Sequence, residues 1–170
     1  MRHILRYLLA ALAALMTLTA CDQNGRPVGR FGLDKLAKGI STEAEVRVVM
    51  GQPEIVWEED SGERLLEYPQ GPEGARTWLF KIGKEGKLLD YKQLLTQENF
   101  AAVKPGMSRD DVRWLLGKPR TVVQFPLKKE EVWDWRYFES NSPQRLFNVH
   151  FDIASGRVTQ TSSSDALIVN

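Results

Sequence analysis

Residues 108–119, SRDDVRWLLGKP, restate residues 42–53, TEAEVRVVMGQP, 66 positions further along the chain. Thr42 aligns with Ser108, Glu45 with Asp111, Val46 with Val112, Arg47 with Arg113, Gly51 with Gly117 and Pro53 with Pro119. Self-similarity at a fixed offset marks a repeated supersecondary unit. Each copy reads as a helix with marked ends. Thr42 and Ser108 are N-cap residues whose hydroxyls can accept from the orphan N–H groups of a first turn. Glu45 and Asp111, three residues on, complete capping boxes. Val46, Val49 and Met50 fall at i, i+3, i+4, as do Val112, Leu115 and Leu116, so each helix carries one apolar stripe. Gly51 and Gly117 suit the left-handed C′ position, and the prolines stop the helix. Upstream, the pairs Leu33/Leu36 and Phe100/Val103 mark a shorter first helix.

Strand signals follow each proline. They predict strands near 54–58, 63–69, 76–82 and 87–93, and again near 120–126, 131–138, 145–153 and 157–162. Phe147, Val149, Phe151 and Ile153 alternate with Asn148, His150 and Asp152, the period-two pattern of a half-buried strand. Gly86-Lys87 and Gly156-Arg157 stand at the final hairpin turns. The fold class is therefore α+β: two tandem repeats, each a helical pair packed on a three- to four-stranded antiparallel sheet. The repeats span 33–96 and 97–163, with a polar tail at 164–170 that includes part of the run Ser162-Ser163-Ser164.

The chain holds one cysteine in 170 residues, Cys21. A single cysteine makes neither an internal disulfide nor a thiolate metal cluster. It follows Arg2, His3 and Arg6, then an uncharged Leu/Ala-rich run from Tyr7 to Met16, then the small residues Thr19 and Ala20. That is the layout of an export signal at 1–20 cut between Ala20 and Cys21. The apolar run is shorter than the roughly 18–20 residues of a spanning helix. Residues 21–32 then read as the anchored cysteine and a Gly-rich, polar spacer. Eleven residues reach at most about 35–40 Å.

Cleavage removes Arg2 and Arg6 and no acid, leaving 21 basic against 22 acidic residues. A near-neutral chain lacks the clustered Lys/Arg that nucleic acid or anionic lipid requires. Catalytic and ligand motifs are also wanting. Gly83-Lys84-Glu85-Gly86-Lys87 lacks the P-loop spacing and reads as a hairpin turn. His150 stands alone on its polar stripe, so no His pair is available for a metal. Glu58-Glu59-Asp60 reads as a solvated turn, and the serine run has no nucleophile-elbow context. No catalytic residue, cofactor, metal or small-molecule substrate is expected.

The candidate binding residues are aromatic. Trp133, Trp135 and Tyr137 share one face of a strand; they form either a partner-binding face, where Trp and Tyr dominate, or the core beneath the helices. In the second case Arg136 and Phe138, with Val132 and Asp134, occupy the exposed face. Trp114 lies off its helix stripe and contacts either the other repeat or a partner. Trp57 is open to the same two readings.

The stretch NFAAVKPGMSRDDVRWLLGKP followed by VWDWRYF resembles the SmpA/OmlA, or BamE-like, family of outer-membrane assembly lipoproteins. The fold also occurs as a tandem pair in the beta-lactamase inhibitory protein. The resemblance covers about 33–163, once per repeat, and is stronger in the second. Leu18-Thr19-Ala20-Cys21 is similar to the lipobox of bacterial lipoproteins, which implies acylation of Cys21. The family implies a non-enzymatic scaffold, fixed by its lipid to the periplasmic face of the outer membrane. Its partners would be envelope proteins such as the barrel-assembly machinery. The alternative it implies is an inhibitor or modulator that grips an envelope enzyme with a tandem concave sheet face. Asp22, after the anchored residue, leaves retention in the inner membrane open.

Overall fold

The computed structural model describes residues 32–70, 74–139 and 144–166. The signal, Cys21 and nearly all of the spacer lie outside them. The first unit runs from a 3-10 turn, Leu33–Lys35, through α1 (Glu43–Met50) into β1 (Ile55–Glu58), β2 (Arg64–Pro69), β3 (Thr77–Ile82) and β4 (Leu88–Gln93). The second has α2 (Gln97–Ala102), α3 (Arg109–Leu116), β5 (Thr121–Phe125), β6 (Glu130–Tyr137), β7 (Arg145–Asp152) and β8 (Val158–Asp165). A 3-10 turn, Pro126–Lys128, links β5 to β6. Each unit carries one four-stranded antiparallel meander, β1-β2-β3-β4 and β5-β6-β7-β8. The chain is α+β with two tandem units.

Both helices begin as the sequence dictates. Glu45 N–H donates to Thr42 Oγ1 at 3.3 Å, and Thr42 N–H donates to Glu45 Oε2 at 2.7 Å. Asp111 N–H donates to Ser108 Oγ at 3.1 Å, and Ser108 N–H to Asp111 Oδ2 at 2.8 Å. The helix ends differ from the expectation. Gly51 (φ 82, ψ −158) and Gly117 (φ 77, ψ −168) have positive φ, but an extended ψ in place of the left-handed value. That region is essentially restricted to glycine, and it sends the chain straight into the following strand.

The two units repeat their long-range contacts as well. Thr42 bridges to Lys87, and Ser108 to Arg157. Gly39 N–H donates to Leu88 O at 2.7 Å, and Gly106 N–H to Val158 O at 2.8 Å. From Gly39 to Thr42 is three positions, from Gly106 to Ser108 only two, so the first copy carries one extra residue, absorbed between these fixed points. Helix stripe and inner sheet face close separate cores: Val46, Met50, Leu66, Tyr68, Phe80 and Ile82 in the first, Phe100, Val112, Leu116, Trp135, Phe147 and Phe151 in the second. Phe100 stacks on Phe147 with centroids 4.3 Å apart.

Two boundaries depart from the sequence reading. The first helix of the first unit is only the 3-10 turn at Leu33–Lys35, with Gly39 at φ 77 ending the segment. The serine run is strand and not tail: Ser162, Ser163 and Ser164 pair with Asn148, Phe147 and Leu146. Asn148 Nδ2 donates to Ser162 Oγ at 3.3 Å and to Ser164 Oγ at 3.2 Å, which ties the polar strand to its neighbour.

Candidate partner-binding surface

The outer face of the first sheet is partly covered by the second unit. On β2 and β3, Leu66, Tyr68, Phe80 and Ile82 point to their own core, while Leu65 and Leu79 point the other way and are buried as well. With Leu94 and the partly buried Trp57 they form a separate apolar cluster. Trp114 of α3 meets Trp57 edge-on, with centroids 5.4 Å apart, and the Arg113 guanidinium lies 5.7 Å from the Trp57 ring. Glu67, fully buried, accepts from Arg113 Nη1 at 2.5 Å and from Lys118 N–H at 2.7 Å. Lys118 Nζ pairs with Glu54 at 2.5 Å. The backbone at Gly117 comes so close to the first sheet that a Cβ there would stand 2.7 Å from Thr77 Cγ2. In the first unit the equivalent Arg47 stays on its own helix, paired with Glu43 at 2.7 Å.

The candidate aromatic residues do not form one patch. Trp135 and Tyr137 lie in the second core, and Trp135 Nε1–H donates to Gly117 O at 3.1 Å. Trp133 packs against that core and donates to Glu131 Oε1 at 2.9 Å. Trp135 and Tyr137 are not available as a binding face, because the helices cover the side of the sheet they occupy, whereas Trp133 on the same side is only partly buried. Arg136, half-buried, and Phe138, 53% exposed, share the opposite face. The Arg76 guanidinium lies 5.3 Å from the Phe138 ring. Trp114 remains 52% exposed beyond its contact with Trp57. It lines a cleft of about 270 Å³ with Leu65, Leu79, Lys81, Asp90 and Lys92. An apolar base with charged edges suits a side chain of a protein partner. Replacing Trp114 by Ala removes one edge-on ring pair, which costs about 0.5–1.5 kcal/mol. A urea titration of the variant measures it.

Polar groups on the second sheet are held in place. Asp134 accepts from Arg120 Nε at 2.6 Å and also from Thr121 Oγ1. His150 lies between Glu130 and Ser162, 2.9 Å from each. Burial opposes ionisation of Glu131, but donors from Gln124, Arg109 and Trp133 outweigh it and hold the carboxyl below its ordinary value. Glu45 is lowered by the Thr42 backbone and hydroxyl, and Asp111 by the Ser108 hydroxyl and backbone. With folded pKa values depressed, the unfolded chain binds more protons below about pH 4.3. The stability these groups contribute is present above that range and is lost as pH falls through the folded values. Denaturant midpoints at pH 7, 4 and 3 are expected to fall in that order, less steeply for Glu131→Gln.

Among the described residues no group of three His, Cys, Asp or Glu side chains is placed to hold a metal ion. No described helix is long and apolar enough to cross a membrane. The sequence reading missed two features. One is the burial of Glu67. The other is the exposure of Val122, Val123, Phe125 and Leu127 along and beyond β5.

Comparison with known proteins places the second unit. Residues 93–161 match the Outer membrane protein assembly factor BamE domain. No curated protein matches the sequence significantly. Among solved structures, the chain is similar to a candidate beta-lactamase inhibitor protein from Streptococcus mutans, at 13% identity over 80% of this chain and 94% of that one, with a TM-score of 0.33. It is similar to a DUF4309 family protein from Bacillus subtilis at 16% identity, over 78% and 83% of the two chains, with a TM-score of 0.31. An SCP-domain extracellular protein from Bacillus anthracis gives 12% identity, 81% and 51% coverage and a TM-score of 0.30. Scores this low carry no argument about function. What the comparisons show is a BamE-domain match over residues 93–161, from the last residue of β4 into β8.

Proposed function

We propose that the chain is a lipid-anchored scaffold of outer-membrane protein assembly, acting at the periplasmic face of the outer membrane. The observation that carries this reading is the BamE-domain match over 93–161. The lipobox-like Leu18-Thr19-Ala20-Cys21 supports the anchor. A single acyl chain binds a bilayer only marginally, at about 0.8 kcal/mol per buried CH₂. A lipoprotein's two or three chains make attachment effectively permanent. Cys21 is then the tether, the spacer supplies reach, and the exposed surface around Trp114, Arg136 and Phe138 meets protein partners. The role is non-enzymatic and needs no cofactor.

Cys21→Ser is expected to shift the protein from the membrane to the soluble fraction. Loss of the whole chain is expected to lower the levels of barrel proteins and to sensitise cells to large antibiotics. An intact envelope with unchanged barrel levels would refute the assembly role. Separation of inner and outer membranes tests the location, on which Asp22 and the family point in opposite directions. An inhibitor that grips with both sheets needs both outer faces open. Arg113 and Trp114 of α3 cover part of the first outer face and leave a cleft beside Trp114 in place of a wholly open sheet, so the geometry favours that reading less.

A further inference from the structure

β5 is an edge strand left uncovered on both of its faces. Its counterpart β1 is not. Counted from the prolines, Val122 and Val123 stand where Val56 and Trp57 do. Val56 packs against the first core, and Trp57 packs in the junction cluster and against Trp114. Val122, Val123 and Phe125 are 52%, 44% and 42% exposed, and Leu127 is fully exposed. Among the described strands β5 pairs with β6 alone. Folded proteins blunt such edges with charge, proline or a bulge. Thr121–Phe125 has no charge and no proline, and its register with β6 is unbroken. An open apolar edge is the surface used in β-strand addition.

The charges around the strand choose the occupant. Lys118 and Arg120 precede it and are engaged by Glu54 and Asp134. Lys128 and Lys129 follow it and make no ion pair within 4 Å among the described residues, although Lys129 attracts the Asp152 carboxylate from further away. Lys128 Nζ lies 5.7 Å from the Phe125 ring. Two copies joined antiparallel through β5 would set Lys128 and Lys129 of each beside Lys118 and Arg120 of the other, already held by Glu54 and Asp134, so a second copy offers these lysines no acidic partner. We propose that β5 is a β-addition site for an extended segment of another protein, apolar at alternate positions and acidic at the end that passes Lys128 and Lys129. The site stands on the β5 geometry alone and does not depend on the outer-membrane role.

The test uses the full chain and fluorescein-labelled ten-residue peptides of alternating Val and Thr. One set ends in two Asp, at either terminus, and the control set ends in two Lys. Anisotropy is expected to show at least tenfold tighter binding of one Asp-ended peptide, with slowed hydrogen exchange at the β5 amides. Lys128→Glu with Lys129→Glu is expected to reverse the preference. Val123→Lys is expected to weaken binding at least tenfold while leaving the thermal midpoint in place, which separates docking from folding. Equal binding of both peptide types, or binding without protection at β5, would overturn the proposal. So would a concentration-dependent dimer in sedimentation with β5 protected, since a second copy would then fill the edge.

Discussion

Arg113→Met is expected to lower the unfolding free energy by about 3–5 kcal/mol, the cost of leaving a buried charge without its partner. Glu67 is fully buried and would keep only the Lys118 N–H as a donor. The Glu67 side chain is itself 0% exposed, so water reaches its carboxylate poorly once the guanidinium is gone. Met preserves much of the stem that packs near Trp57 and isolates the charge. Urea unfolding measures the loss, and a cycle with Glu67→Leu measures the coupling. Replacing both partners should recover a large part of what the single change removes, because an apolar pair of similar volume carries no desolvation penalty. A loss under about 1 kcal/mol in the single variant would mean that the pair is in effect a surface bridge and does not join the units.

Gly117→Ala is the second large effect, about 2–5 kcal/mol. Part is backbone strain, since φ 77 with ψ −168 is a glycine conformation. Part is overpacking: the new Cβ stands 2.7 Å from Thr77 Cγ2 and 3.1 Å from Glu67 Oε1. The two parts separate experimentally. Thr77→Ser removes the nearest methyl and should restore the overpacking share in the double variant. Gly51→Ala, at φ 82 and ψ −158, carries the same backbone conformation in the first unit and reports the backbone share. If Gly117→Ala and Gly51→Ala cost the same, α3 does not sit tightly on the first sheet.

Local signals made the repeat legible. The capping boxes, the apolar stripes and the glycine-proline stops all act within one turn, so Thr42/Glu45 and Ser108/Asp111 identify their helices from a dozen residues. The strands were legible from alternation, except that β8 continues through Asp165. Its pairing is set by Asn148 and the β7 backbone, and its own polar residues show no apolar period. The surface was much less legible. Glu67 in a strand reads as solvent-facing; it is buried only because Arg113 arrives from 46 residues away. Trp133, Trp135 and Tyr137 show which residues share a face but not which face the helices cover. Val122 and Val123 look like the interior of any strand, and only the uncovered edge of the second sheet makes them notable. The lipid anchor remains a reading of residues 18–21, outside the described part of the fold.

The most direct test of the central claim, that this chain serves outer-membrane assembly, is crosslinking in living cells. A tagged chain with its signal and Cys21 intact is crosslinked, inner and outer membranes are separated, and captured proteins are identified by mass spectrometry. The account predicts capture of the barrel-assembly machinery from the outer membrane, reduced by Trp114→Ala. Capture of a single unrelated envelope enzyme from the inner membrane, with no assembly component, would contradict it.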